Sequence, residues 1–280
     1  MPLLLTVMLF AAFGGIASAA FAVVFLWVRD EHSVLILPHF VSFATGALLG
    51  AALLALLPEA IAGAGPAGAH AIGFTLIAGL GVFFVIEKLV LWWHAHAHVH
   101  GAGAAACPQH ADGALEEPVT HHGPGHSHAR DHASGVLVLV GDSLHNALDG
   151  ALIAAAFLGS AQLGALTTFA VAAHEIPHRV GDFAILVQAG LSRRRALLLN
   201  LATGVASVLG AVVAYFGLRE TQQALPYALA FAAAGFLYIA VAGLIPGLHR
   251  RADPRTSAIQ VILIAAGIAV IAGAERLAGQ

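Results

Sequence analysis

Eight long apolar runs constrain this chain more than any other feature of its sequence. Each is close to the roughly 20 residues that an α-helix needs to cross a bilayer. They lie at about 3–28, 39–63, 71–93, 135–158, 161–189, 194–217, 225–247 and 258–276. Inside lipid, a helix satisfies its own backbone hydrogen bonds, so such runs favour membrane helices. We therefore predict an all-α polytopic membrane protein with eight transmembrane helices.

The composition supports a membrane protein. Only 10% of the residues are charged and 59% are hydrophobic, whereas a soluble domain carries roughly 25% charged residues. The net charge of −3 does not indicate a nucleic-acid partner. A single cysteine, Cys107, excludes an intrachain disulfide framework and a thiolate-rich metal site. Ala17-Ser18-Ala19 resembles a signal-peptide cleavage site, but no Lys or Arg precedes it, so we expect a first membrane helix.

The loop arginines predict the orientation. Eight of the nine lie in odd-numbered loops, and only Arg219 lies in an even-numbered one. The positive-inside rule then places the odd-numbered loops in the cytoplasm and both termini outside. We expect a multi-pass protein of the plasma (inner) membrane.

Three regions follow: helices 1–3 at 1–93, a His-rich loop at 94–134, and helices 4–8 at 135–280. The loop holds ten of the seventeen histidines and too few large apolar residues to pack a core. Tracts of this kind bind transition metals through neutral imidazole; the alternative is a solvated spacer. We predict cytoplasmic metal capture by His94, His96, His98, His100, His121, His122, His126 and His128.

Two polar clusters, at 142–150 and 174–182, interrupt the apolar sequence of the fourth and fifth runs. Ionisable groups at membrane depth cost several kcal/mol unless compensated, and they mark function by default. The alternative is that these residues only bond one another to hold the bundle. Several ionisable groups at matched helical spacing argue against that alternative.

Helical spacing sets the candidate ligands on facing surfaces. His145 and Asp149 are i,i+4 neighbours, and His174 and His178 repeat that spacing on the next helix. A short connection near Ser160 would turn the two helices against each other. Imidazole and carboxylate without thiolate suit Zn²⁺, Fe²⁺ or Mn²⁺ better than Mg²⁺, Ca²⁺ or Cu⁺. The spacing makes candidate ligands of the imidazoles of His145, His174 and His178 and the carboxylates of Asp149 and Glu175.

Other residues of the clusters are predicted to line a pathway or support the ligands. Asp142 extends the His145 face by one turn, and Asp182 lies one turn beyond His178. Pro177 cannot donate to the carbonyl of Ala173, which predicts a kink beside a polar cavity. A kink that serves packing alone is the alternative.

The segment 174–178 also matches the HExxH motif of zinc proteases, in which the Glu is a general base. Leu148-Asp149-Gly150 resembles an element of intramembrane site-2 proteases. In those proteases this element follows HExxH, whereas here it precedes it by 24 residues. Pro177 would also disturb the helix that sets the two imidazoles. An intramembrane zinc metalloprotease is therefore the alternative, and we expect a protein that is not an enzyme.

With both clusters in view, the chain resembles the ZIP (Zrt/Irt-like) family of metal transporters over nearly its whole length. The segment 145–150 resembles the HNxxDG motif of the family's fourth helix, and 174–184 resembles HEIPHExGDFA of its fifth. Weaker similarities are Leu56-Leu57-Pro58-Glu59-Ala60, Phe83-Phe84-Val85-Ile86-Glu87-Lys88 and Gly235-Phe236-Leu237-Tyr238-Ile239-Ala240.

The resemblance implies a dimeric, elevator-type importer with a metal site, often binuclear, between helices four and five. His145, Asp149, His174 and His178 would form the primary site. A second site would comprise Asn146, Asp149, Glu175 and His178. Leu48 would line the path. The implied cargo is zinc first and ferrous iron second, with Mn²⁺ or Cd²⁺ as alternatives and no required cofactor.

Two departures from the family pattern stand out. Arg179 replaces the second Glu of HEIPHE, and its charge would repel a second cation at close range. Arg179 is placed to pair with Asp182 or Glu175. We hypothesise that the second site is weak or absent. In the seventh run, Gly243 and Gly247 stand where members often carry acidic residues.

Overall fold

The computed structural model describes residues 2–18, 20, 30–99, 127–188, 190–249 and 253–278, and its secondary structure within them is entirely helical. The main helices of these described ranges are α1 (Pro2–Ala12), α2 (Asp30–Gly50), α3 (Leu57–Val99), α4 (Ser127–Gly159), α5 (Ala161–Gln188), α6 (Arg193–Arg219), α7 (Leu225–Tyr238) and α8 (Pro254–Ala278). Shorter helical pieces extend or join them: Phe13–Ala17 after α1, Ala51–Leu56 between α2 and α3, Gln222–Ala224 before α7, and Ile239–Leu244 with Ile245–Leu248 after it.

A sharp turn divides α3 into two helices at Gly65. This residue has φ 69° and ψ 176°, a conformation that only glycine adopts without strain. Pro66 then starts the next helix, where its missing N–H is no loss. The first part of α3 therefore continues α2, and the second part is the third long helix. Each of the eight predicted apolar runs thus contains a helix.

Four helical ranges are long and apolar enough to cross a membrane, as judged by length and composition within the described residues. They are Ile36–Leu89, which includes the turn at Gly65, Arg193–Arg219, Gln222–Leu248 and Pro254–Leu277. Large apolar side chains lie on the outside of the bundle; Phe74 is 73% exposed and Val213 74%. Exposed apolar surface on this scale suits contact with lipid and not with water.

Two groups of helices make up the bundle. In the first helix group, α4 packs along α6, and α1 and α5 lie against these two. In the second helix group, α2 packs along α8 and α3 along α7. The groups meet where α5 lies against α2 and where α4 lies against α7.

The crossing of α4 and α6 depends on glycine from both sides. A Cβ on Gly150 would lie 1.8 Å from the carbonyl oxygen of Ser207, and one on Gly210 would lie 1.9 Å from that of Ala147. Contact at this range requires the backbones themselves to touch, as small residues allow in membrane bundles. The helices α2 and α8 cross in the same way at Gly46, where a Cβ would lie 2.0 Å from a backbone oxygen.

The helices extend into both sides of the predicted His-rich loop. The backbone is helical to Val99 and again from Ser127, beyond the predicted ends at 93 and 135. The helical backbone therefore includes positions 94, 96, 98 and 128. His100, His121, His122 and His126 lie outside the described residues, and metal capture by the loop stays a prediction.

Candidate metal centre

Four donor side chains converge between α4 and α5. His145 and Asp149 come from α4, and His174 and Glu175 from α5, with one donor atom of each lying within 4.8 Å of the others. The Nε2 atom of His174 is 3.3 Å from Nε2 of His145 and 3.3 Å from Oδ2 of Asp149. The Oε1 atom of Glu175 is 3.5 Å from Nε2 of His145. We call these four residues the primary cluster.

Three of the donor separations in the primary cluster, 3.3, 3.3 and 3.5 Å, match those around a tetrahedral ion, and two others, 3.8 and 4.0 Å, are slightly longer. Nitrogen and oxygen ligands lie roughly 2.0–2.2 Å from Zn²⁺, so neighbouring donors around one ion stand about 3.3–3.5 Å apart. Three of the four side chains are buried, since those of His174, Asp149 and Glu175 are 1%, 2% and 0% exposed, whereas that of His145 is 23% exposed. Among the described residues, Asp149 Oδ2 and Glu175 Oε1 accept no hydrogen bond. Buried carboxylate oxygens left in this way are costly without a cation.

The backbone of α5 orients one of the imidazoles. His174 Nδ1 donates to the carbonyl oxygen of Ala170 at 3.1 Å, which leaves the Nε2 lone pair of the neutral ring facing the cluster. A hydrogen bond to the second ring nitrogen is the usual way in which proteins fix the tautomer and direction of a metal-binding histidine. Phe236 of α7 lies edge-on to the same ring, at 6.4 Å between centroids.

A second set of donors lies beside the first. Asp142, His178 and Asp182 form this adjacent cluster, in which His178 Nδ1 is 2.9 Å from Asp182 Oδ2 and 3.9 Å from Asp142 Oδ1. The His178 side chain is 45% exposed. Its ring stacks on that of His145, with centroids 5.3 Å apart and planes 16° apart.

The grouping differs from the one that the family resemblance implied. Glu175, and not His178, lies with His145, Asp149 and His174. His178 is one helical turn, roughly 6 Å, further along α5 than His174, and its bond to Asp182 turns it toward the adjacent cluster.

Arg179 lies between the two clusters and is fully buried. Its Nη1 is 2.8 Å from Asp142 Oδ2, and its Nη2 donates to Asn146 Oδ1. Its Nε is 2.8 Å from Glu175 Oε2, an ionic contact off the line of a hydrogen bond. The predicted pairing of Arg179 with Glu175 is confirmed. The alternative partner, Asp182, is engaged by His178 instead.

The family resemblance implied that Asn146 shares a second site with Asp149, but the side chain of Asn146 bonds to other residues. Its amide nitrogen donates to Asp142 Oδ1 at 2.8 Å, and its oxygen accepts from Arg179. The residues that complete the surroundings of Arg179 on α6, Asn200 and Thr203, were missed by the sequence analysis. The signal was present, since Asn200 is a polar residue inside the sixth apolar run.

A cavity of about 440 Å³ opens beside the primary cluster. His145, His174 and His178 line one wall, and Glu87 of α3 and Tyr238 of α7 lie on the other. The Tyr238 hydroxyl donates to Glu87 Oε2. The sequence analysis gave neither residue a role, although a carboxylate near the end of an apolar run was a usable signal. The seventh apolar run has no acidic residue at this cavity, and the third run contributes Glu87.

Two predicted pathway residues lie elsewhere. Leu48 is fully buried in the same apolar core as Ile153 and Phe236, and it is not among the residues that line this cavity. A leucine gains more free energy by packing there than by facing a polar path. Pro177 is buried as well, and α5 stays helical on both sides of it.

A bundle of long apolar helices around a buried imidazole–carboxylate cluster defines an integral membrane protein with a candidate site for a divalent transition metal. The family model described as ZIP zinc transporter matches residues 2–275 of the chain. The chain belongs to this family.

The relatives that the chain resembles carry the same assignment. It is 35% identical to zinc transporter ZIP13 of Homo sapiens, over 87% of this chain and 72% of the relative. It is 34% identical to ZIP13 of Danio rerio, over 84% and 75%. It is 32% identical to zinc transporter SLC39A7 of Rattus norvegicus, over 91% and 69%. Members of the family are transporters and not enzymes, so the protease interpretation of 174–178 is set aside.

Proposed function

We propose that this protein imports a divalent transition metal toward the cytoplasm through the primary cluster, with zinc as first cargo and ferrous iron as second. The observation that carries the proposal is the group of four donors, three of them buried, whose ligand atoms lie within 4.8 Å of one another. Mn²⁺ and Cd²⁺ are weaker candidates, because such donors follow the general affinity order of the metals and exclude none of them. Membership of the ZIP family and the names of the relatives support zinc.

In this proposal the ion exchanges its water for His145, Asp149, His174 and Glu175, and then passes His178. By the positive-inside rule, α4 begins and α5 ends on the cytoplasmic side. His178 then lies on the cytoplasmic side of the primary cluster, and so does the cavity wall that carries Glu87. The arrangement corresponds to a site open to the inside, with Glu87 along the exit.

The membrane topology of the proposal has eight spans, both termini outside and a location in the plasma (inner) membrane. The eight helical runs and the arginine distribution support the spans and their orientation.

An elevator movement is supported by the division into two helix groups, since both faces of the metal centre, α4 and α5, belong to the first. A homodimer rests on the family resemblance. The His-rich loop would receive metal after passage.

Uptake of radioactive zinc by proteoliposomes tests the proposal, with Fe²⁺, Mn²⁺ and Cd²⁺ compared under the same conditions. Asp149→Asn keeps the size of the side chain and removes the charge that the ion needs, so we expect uptake to fall to background. Glu220→Gln removes the same charge from a side chain that is 81% exposed, and it should transport normally. Native uptake by Asp149→Asn would refute the primary cluster as the transport site.

A further inference from the structure

The two clusters concentrate negative charge in the interior of the bundle. Asp142, Asp149, Glu175 and Asp182 are each at most 8% exposed. A single divalent ion would leave this set two charges short of neutrality. Buried carboxylates need a fixed counter-charge or a second ion to remain ionised.

Arg179 supplies a counter-charge at the place where a second ion would bind. Its nitrogens contact Asp142 Oδ2, Asn146 Oδ1 and Glu175 Oε2. Asn146 and Glu175 are two of the four residues that the family resemblance assigns to a second metal site. In this chain Asn146 Oδ1 already accepts from the guanidinium, and Glu175 Oε2 is in ionic contact with it.

We propose that the Arg179 guanidinium permanently occupies the position of a second cation, so that each protomer binds one metal ion at its transport centre. This inference rests on the proposed function, because it assigns the number of ions to the same site. Glu175 is shared between the two positions: Oε2 faces Arg179, and Oε1 faces the primary cluster.

The guanidinium also does what an exchangeable ion cannot do. Its Nη1 lies 2.8 Å from the carbonyl oxygen of Asn200, and Thr203 accepts from it as well. Its Nη2 lies 3.4 Å from the carbonyl oxygen of Gly15, in the extension of α1. Together with Asp142 of α4 and its own helix α5, Arg179 therefore joins all four helices of the first helix group. Arginine keeps its charge at all physiological pH values, so this link persists whether or not the cargo ion is bound.

Metal counting on the purified full-length protein tests the inference. Each form is equilibrated with zinc in detergent, separated from free zinc by gel filtration and analysed for zinc per protomer. The His-rich loop is the same in all forms, so its contribution cancels in differences. The double variant Asp149→Asn/Glu175→Gln removes a carboxylate from both positions, and it should hold one ion fewer than the native protein.

A charge-reversed pair of variants supplies the second measurement. Arg179→Glu restores the acidic residue of the family pattern and should bind one ion more than the native protein. Arg219→Glu makes the same charge change at a side chain that is 55% exposed, and its count should equal the native one.

The outcomes separate the inference from the proposed function. A native protein that holds two ions more than the double variant overturns the inference and leaves metal transport intact. A difference of zero overturns the proposed site itself. An Arg179→Glu protein that elutes as a single species with an unchanged count also contradicts the inference. If that variant does not elute as a single species, the native difference decides alone: one supports the inference and two overturns it.

Discussion

A methyl group added at Gly150 would collide with the backbone of α6, directly beside Asp149 of the primary cluster. The new Cβ would lie 1.8 Å from the carbonyl oxygen of Ser207 and 2.6 Å from its carbon, whereas ordinary contacts begin at 3.4 Å. The two helices would have to separate by about 1.6 Å to restore an ordinary contact. Because the obstacle is backbone, a change of rotamer cannot relieve it.

Two consequences follow for Gly150→Ala. Overpacking costs roughly 1–3 kcal/mol, and a backbone obstacle places this site near the upper end. A loss of about 3 kcal/mol corresponds to a melting temperature lower by roughly 6–12 °C in a protein of this size class. The same displacement moves His145 and Asp149 relative to the donors of α5, which now lie 3.3–3.5 Å from them. Misplacement by about 1 Å can cost on the order of 100-fold in enzymes, so we expect zinc uptake to fall at least about tenfold.

Gly217→Ala in α6 is the matched control. A Cβ at Gly217 would meet no atom of the described residues within 4 Å, and alanine favours a helix over glycine by about 1 kcal/mol in water. This variant should melt at or above the native temperature and transport zinc normally. Both variants are compared by thermal unfolding in detergent and by uptake into proteoliposomes. A Gly150→Ala protein that melts and transports like Gly217→Ala would refute the close crossing as the support of the site.

Two further predictions concern the exit and the last helix. Glu87→Gln should lower the maximal zinc flux severalfold without changing equilibrium zinc binding, because Glu87 lies on the cavity wall and outside the primary cluster. Tyr238→Phe removes only the hydrogen bond to Glu87 and should have the smaller effect. An unchanged flux in Glu87→Gln would exclude the exit role. Asp253 caps α8 by accepting from the Thr256 N–H at 2.9 Å, and these bonds lower its pKa below the ordinary 3.8. Because the pKa is lowered in the folded state, the cap stabilises the protein above about pH 4 and is lost as the pH falls through the folded-state pKa. Asp253→Ala should therefore reduce the melting temperature at neutral pH and differ less from the native protein near pH 3. A difference independent of pH would contradict this.

The sequence was a good guide to the helices because their pattern is local. Runs of about 20 apolar residues predicted helices close to those observed. The i,i+4 spacing also predicted which side chains share one face of a helix, such as His145 and Asp149 on α4. That these residues bind a metal stays a prediction. At the His-rich loop the helical backbone extends past the apolar runs, to Val99 and again from Ser127, because polar residues continue it.

The grouping of those residues was not predictable in the same way. His178 and Glu175 both face α4, and either could have joined the primary cluster. His178 is turned away from it by its bond to Asp182. Glu175 contacts Arg179 through Oε2 and keeps Oε1 for the primary cluster. Glu87 and Tyr238 are separated by 151 positions in the chain and meet only through the packing of α3 against α7.

By itself, the sequence determined that this chain forms apolar helices and that the fourth and fifth carry imidazole and carboxylate groups, because composition and periodicity act over a few turns. Only the tertiary structure decided which donors lie together and where Arg179 places its charge. Those outcomes depend on contacts between helices distant in the chain: the glycine crossing of α4 with α6, and a guanidinium that reaches α1, α4 and α6 from α5. The cost of burying unpaired charge then selects the arrangement in which each carboxylate faces Arg179 or a histidine.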